Sequence, residues 1–166
     1  MAAETLTLRS ITAKAVVAPL ARPLRTAVGA IPAAPLVLID LMTEEGVPGR
    51  SYIFGYMPAT LEPLVSLVGT IGEELKGRPL VPAARQRDLD RRFRLLGWQG
   101  LVGMAVGGVD MALWDALGRA AGWPVARLLG GAPVPRNWSC SRWSRCWRPR
   151  AGWRRCRWRP ACRRTP

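Results

Sequence analysis

From Leu6 to Val17 apolar and polar positions partly alternate, with Leu6, Leu8, Ile11, Ala13, Ala15 and Val17 as the apolar set. A period of two predicts a strand, here over Leu6 to Leu20 and ending near Pro19. Residues 21–34 hold Pro23, Gly29 and Pro32 and read as a loop. The run Pro35 to Thr43 is apolar and branched, as a buried strand is. Glu44, Glu45 and Gly46 make a turn, and Arg50 to Tyr56 is the returning strand. These segments predict an antiparallel meander.

The period then changes to that of a helix. Leu61, Leu64, Val65, Val68, Ile71 and Leu75 recur at intervals of three and four, and Lys76-Gly77 supplies a cation and a terminal glycine. A second helix starts near Pro82, a residue suited to a first turn, and runs to Gly97. Asp88 stands one turn from Arg91 and Arg92. A third helix runs from about Leu101 to Ala121, where Gly122 and Pro124 break it. Val125 to Leu129 is one further short turn before Gly130-Gly131. Strands first and helices afterwards predict an α+β fold: a three-stranded antiparallel meander followed by a helical bundle.

Charge divides the chain more sharply than hydropathy does. The net charge is +14 over 166 residues, but residues 136–166 alone supply +11. That tail holds eleven Arg, five of the eight Trp, all four Cys and no acidic residue. Residues 1–135 therefore form one domain and residues 136–166 a separate basic tail. The first domain has no Cys, which argues against a disulfide-built fold, and no run of about 20 apolar residues. With no basic leader at MAAETLTLRS, the expected location is cytoplasmic. There is no His in the chain, which removes the commonest general base near neutral pH. Asp110 and Asp115, five apart, point about 140° away from each other on a helix and do not form a dyad. Gly107-Gly108 follows no strand, so close packing is the better reading than a phosphate loop.

The most specific string is AVGGVDMALWDALGRAAGWPVARLLGG, residues 105–131. Its Ala105, Gly107, Gly108, Val109, Asp110, Ala112, Leu113, Asp115, Gly118, Arg119 and Pro124 resemble the first signature of the mandelate racemase and muconate-lactonising family of the enolase superfamily. Residues 25–56 resemble the mandelate racemase members most. The resemblance covers about residues 5–135 and implies the N-terminal capping domain, which closes the mouth of a TIM barrel. It implies Mg²⁺-dependent removal of a proton α to a carboxylate, with a 2-hydroxy carboxylate such as mandelate as substrate partner, in a homo-oligomer. It also implies two substrate-lining loops, Leu24 to Ile31 with Leu24, Thr26, Val28 and Ile31, and Tyr52 to Pro58 with Phe54 and Tyr56. Asp110 and Asp115 would buttress the cap against the barrel. Without a barrel the Ala/Gly stripe of the third helix would be exposed.

A TIM barrel takes about 200 residues or more, and 35 follow Gly131. The metal carboxylates and both bases of the family are absent from the sequence, so the resemblance assigns no catalytic or metal-binding residue, and the 166 residues alone are expected to be inactive. The abrupt change at residue 136, into residues with GC-rich codons, is what an altered reading frame produces. The alternative is a binding arm for nucleic acid or an anionic membrane, since Arg neutralises phosphate and Trp stacks on bases or sits at an interface. The Cys spacing, with five, nine and five residues between successive cysteines, does not match the two to four residues within each Cys pair of a structural zinc site.

Overall fold

The computed structural model describes residues 6–27 and 29–131. The basic tail, and with it the readings made for it, lies outside the described residues. Among those described, β1 (Leu8–Thr26), β2 (Gly29–Thr43) and β3 (Pro48–Phe54) are followed by a 3₁₀ turn at Pro58–Thr60. Then come α1 (Leu61–Leu75), α2 (Pro82–Arg92), α3 (Leu101–Ala121) and α4 (Val125–Leu128). The strands form one antiparallel sheet in the order β1-β2-β3.

One face of that sheet carries the core. Val37, Ile39 and Leu41 of β2 and Ile53 of β3 are buried, and they meet Leu64, Val68, Ile71 and Leu75 of α1 and Ala105, Val109 and Ala112 of α3. Each large apolar side chain buried in this way contributes about 1.5–3 kcal/mol. The opposite face is open: Leu38, Met42 and Tyr52 are exposed, and Asp40 pairs with Arg50 at 3.1 Å between them.

The small residues of α3 set how closely the layers approach. A Cβ on Gly108 would stand 2.6 Å from Ile53 and 2.8 Å from Ile39, so the helix lies directly on the sheet there. Gly107 faces no neighbour within 4 Å, so close packing explains Gly108 but not Gly107. The Ala/Gly stripe is therefore covered by the domain's own sheet, contrary to the expectation that it would be exposed. Two polar bonds fasten the contact. The Ser51 hydroxyl donates to the Gly108 carbonyl at 2.6 Å, and the Arg50 backbone N–H donates to Asp115 at 2.8 Å. Asp115 also accepts from Arg119 at 2.7 Å through the same oxygen, Oδ2, which is thereby engaged inside this domain. By length and composition α3 could cross a membrane, unlike any stretch picked out in the sequence. Its apolar stripe is instead packed against the sheet and α1.

Three further sequence expectations change. Of the loop expected over residues 21–34, residues 21–26 and 29–34 are strand: β1 and β2 continue as a two-stranded ribbon beyond the end of β3. The prolines there mislead. The ribbon has a free edge on each side, and a residue without an N–H is tolerated at such an edge. Pro32 falls where the register jumps from the Pro19/Ala33 pair to the Leu24/Ile31 pair and has no ladder partner. Secondly, α2 ends at Arg92 rather than at Gly97, because Phe93 turns into the core and the chain leaves the helix in a turn closed by Gly97. Thirdly, Asp88 pairs with Arg91 at 2.7 Å and with Arg78 and Arg85 at 3.3 Å, whereas Arg92 reaches Glu74 at 2.7 Å.

Candidate functional site

Two groups of side chains stand at the same end of the sheet. β2 runs antiparallel to β3, so its first residues lie toward the end at which β3 stops, where Phe54 pairs with Leu36. Beyond that point the ribbon projects alone. Near its tip Leu24 pairs with Ile31 and Thr26 with Gly29. The Thr26 hydroxyl donates to the Gly29 carbonyl at 2.8 Å and closes the turn. Gly29 has φ +138°, a backbone conformation that L side chains rarely adopt. Leu24 is about half exposed and Ile31 partly buried. Val28 lies outside the described residues. A shallow depression of about 410 Å³ is lined by Pro23, Arg25, Thr26, Gly29 and Ala30. The sequence reading missed Arg25, whose only signal was its place beside Thr26. A guanidinium there is suited to pairing with a carboxylate.

The second group is the aromatic turn after β3. Phe54 and Tyr56 meet edge to face, with ring centroids 5.0 Å apart and planes at 85°, a contact worth about 0.5–1.5 kcal/mol beyond its burial. Tyr56 is the one non-glycine residue with positive φ among those described, at +59°. The Met57 N–H donates to the Gly55 carbonyl at 2.6 Å across it. A hydrogen bond over two residues with positive φ at the centre is the rarer, strained form of γ-turn. Such conformations cost about 1–3 kcal/mol and persist only where the surroundings impose them. The Gly55 N–H donates to the Pro35 carbonyl at 2.8 Å and fixes the turn to β2.

The structure thus brings Phe54 and Tyr56 together, and Leu24 with Ile31, but keeps the two groups apart. Ile31 and Leu36 stand five positions apart along β2, about 17 Å of strand. They form two walls at one end of the sheet, mostly apolar, with a hydroxyl and a guanidinium on the ribbon.

Among the described residues no three His, Cys, Asp or Glu side chains converge, so the donor set of this segment does not fit Mg²⁺. A second depression, of about 390 Å³, lies between α1 and α2 and is lined by Glu74, Arg78, Asp88, Arg91 and Arg92. Its charges are paired with each other, and the hydrogen bond from Arg91 holds the Asp88 carboxyl below its usual range.

Asp110 is the one described carboxyl pushed upward, and burial on α3 is the cause. A carboxyl whose folded value lies above its unfolded value favours the folded state most below the unfolded value, ordinarily 3.8. That contribution is lost as pH rises through the folded value. Asp110→Asn should therefore raise Tm relative to the native chain at pH 7, with the difference shrinking toward zero as pH falls below 4. A difference that is flat or negative across this range would contradict the burial of a charge at this position.

A three-stranded antiparallel meander with helices on one face, a small-residue helix seated on the sheet and two loop walls at one sheet end define the class of enolase-type N-terminal domains. Residues 9–130 match the family model described as mandelate racemase / muconate lactonizing enzyme, N-terminal domain, and the chain belongs to that family. It is similar to an enolase from Bradyrhizobium, solved in complex with magnesium and mandelic acid. Identity is 56% and the TM-score 0.75, over 79% of this chain and 36% of that one. It is also similar to an enolase from alpha proteobacterium BAL199 with bound Mg, at 45% identity and TM-score 0.73, over 78% and 36% of the two chains. Among curated proteins, o-succinylbenzoate synthase from Listeria innocua is 29% identical over 114 residues, 68% of this chain and 30% of that protein. The chain spans about a third of the length of these relatives.

Proposed function

We propose that residues 1–135 are the capping domain of a Mg²⁺-dependent enzyme that removes the proton α to the carboxylate of a 2-hydroxy acid such as mandelate, racemisation being the favoured outcome. The tail at residues 136–166 is a separate unit outside this role. The observation that carries the reading is the 56% identity to a protein solved with magnesium and mandelic acid. The chemistry of the site supports it. The ribbon and the aromatic turn offer apolar surface for a phenyl ring. Closing such walls over a substrate expels water and strengthens the electrostatics beneath. The role assigned to this domain is shape and exclusion of water, with Leu24, Thr26, Val28, Ile31, Phe54 and Tyr56 facing substrate.

A graft tests this reading. Residues 9–130 are exchanged for the corresponding segment of the Bradyrhizobium protein, and mandelate binding is measured in magnesium buffer. The exchanged protein should bind mandelate within about tenfold of its parent, a difference of about 1.4 kcal/mol. A folded graft with no measurable affinity would contradict the reading.

A further inference from the structure

Thr60 immediately precedes α1, where a threonine hydroxyl ordinarily accepts an N–H from the first helical turn. It makes no such bond. Its hydroxyl points back to the turn after β3, 2.5 Å from the Gly55 carbonyl oxygen and 2.7 Å from that of Met57. A hydroxyl carries one proton, so it donates to one of these at a time, and the two oxygens are the flanks of Tyr56. The Thr60 backbone N–H donates to the Met57 carbonyl as well, at 3.1 Å. Space is matched to the same arrangement. A Cβ on Gly55 would stand 2.9 Å from the Thr60 hydroxyl and 3.0 Å from Leu61, so the hydroxyl fills the room the glycine leaves. Leu61 is buried in the core and fixes the start of α1. The turn is thereby coupled to the rigid part of the domain through one side chain.

We propose that Thr60 is a positioning residue: its hydroxyl holds the Gly55–Met57 turn closed, keeps Tyr56 at positive φ and so fixes the Tyr56 ring against Phe54. The aromatic wall is then set before any ligand arrives, and its rigidity selects for a flat ring in the substrate. This selectivity rests on the reading of Phe54 and Tyr56 as substrate-facing; the positioning itself does not.

The test uses the full chain, whose two Tyr and two Phe make labelled spectra simple to assign. With Phe and Tyr isotopically labelled, the native chain should show a ring-to-ring NOE between Phe54 and Tyr56. Thr60→Val should abolish that cross-peak and move the Tyr56 ring shifts to those of an unstructured tyrosine. Thr60→Ser, which keeps the hydroxyl, should restore both, with the methyl shifts of Leu64 and Val68 unchanged throughout. Thr60→Ala, which loses the hydroxyl without adding a methyl near Gly55, is read in the same way if the valine variant does not fold. A cross-peak and Tyr56 shifts that persist without the hydroxyl would overturn the proposal. The NOE is read without ligand, so its failure removes the role of Thr60, whereas failure of the graft to bind mandelate removes the substrate reading.

Discussion

Gly49→Ala should lower the stability of this domain by about 3 kcal/mol, the upper part of the range for overpacked interiors. A Cβ on Gly49 would stand 2.2 Å from the Ala112 carbonyl oxygen and 2.9 Å from the Ala116 side chain. The first of these is backbone inside α3 and cannot rotate away, so either the helix or β3 must move. That movement would separate Asp115 from the Arg50 N–H next to the substituted residue and disturb the seat of Gly108 on Ile53. Alanine is favoured over glycine in a strand by about 0.5–1 kcal/mol through chain entropy, which does not offset a clash of this kind. Gly108→Ala is the informative comparison. Its Cβ meets the end of the Ile53 and Ile39 side chains, which have rotamers to yield with, and its cost should be about 1–2 kcal/mol. Denaturant titration of both variants reads the difference. Equal costs, or a Gly49 variant as stable as the native chain, would contradict the close approach of α3 to β3.

The unequal costs bear on what was legible in the sequence. The spacing of Leu61 to Leu75 and the Gly122/Pro124 break gave α1 and α3 their bounds, because a buried helical stripe and a chain terminator are both local signals. The small residues of α3 announced a close neighbour. They did not name it, since smallness carries no information about which element approaches, and the neighbour is the sheet of the same domain. The ribbon was illegible for the opposite reason. Pro19, Pro23 and Pro32 are local breakers, but strand pairing between residues far apart in sequence determines the structure there, and free edges accommodate them. Of the candidate site, the apolar character of Leu24, Ile31, Phe54 and Tyr56 was visible, but only the family resemblance singled them out. Their division into two walls follows from the length of the ribbon. Thr60 was passed over because a threonine before an apolar helix reads as an ordinary cap, and nothing in its neighbours shows that its hydroxyl faces the other way.

The second large effect concerns Tyr56. In the grafted protein described above, Tyr56→Ala should weaken mandelate binding about tenfold, the equivalent of about 1.4 kcal/mol for an aromatic contact with the substrate ring. Tyr52→Ala is the matched control. The two tyrosines are similarly exposed, at 62% for Tyr52 and 65% for Tyr56, but Tyr52 lies within β3, whereas Tyr56 lies in the turn after it. General loss of apolar surface would affect both variants alike, whereas a substrate-facing wall involves Tyr56 alone. Calorimetric titration of mandelate into the graft and its two variants is the most direct measurement of the account's central claim. Tight binding retained in the Tyr52 variant and lost about tenfold in the Tyr56 variant is the predicted result. Equal affinities in the two variants, or no binding by the folded graft, would contradict it.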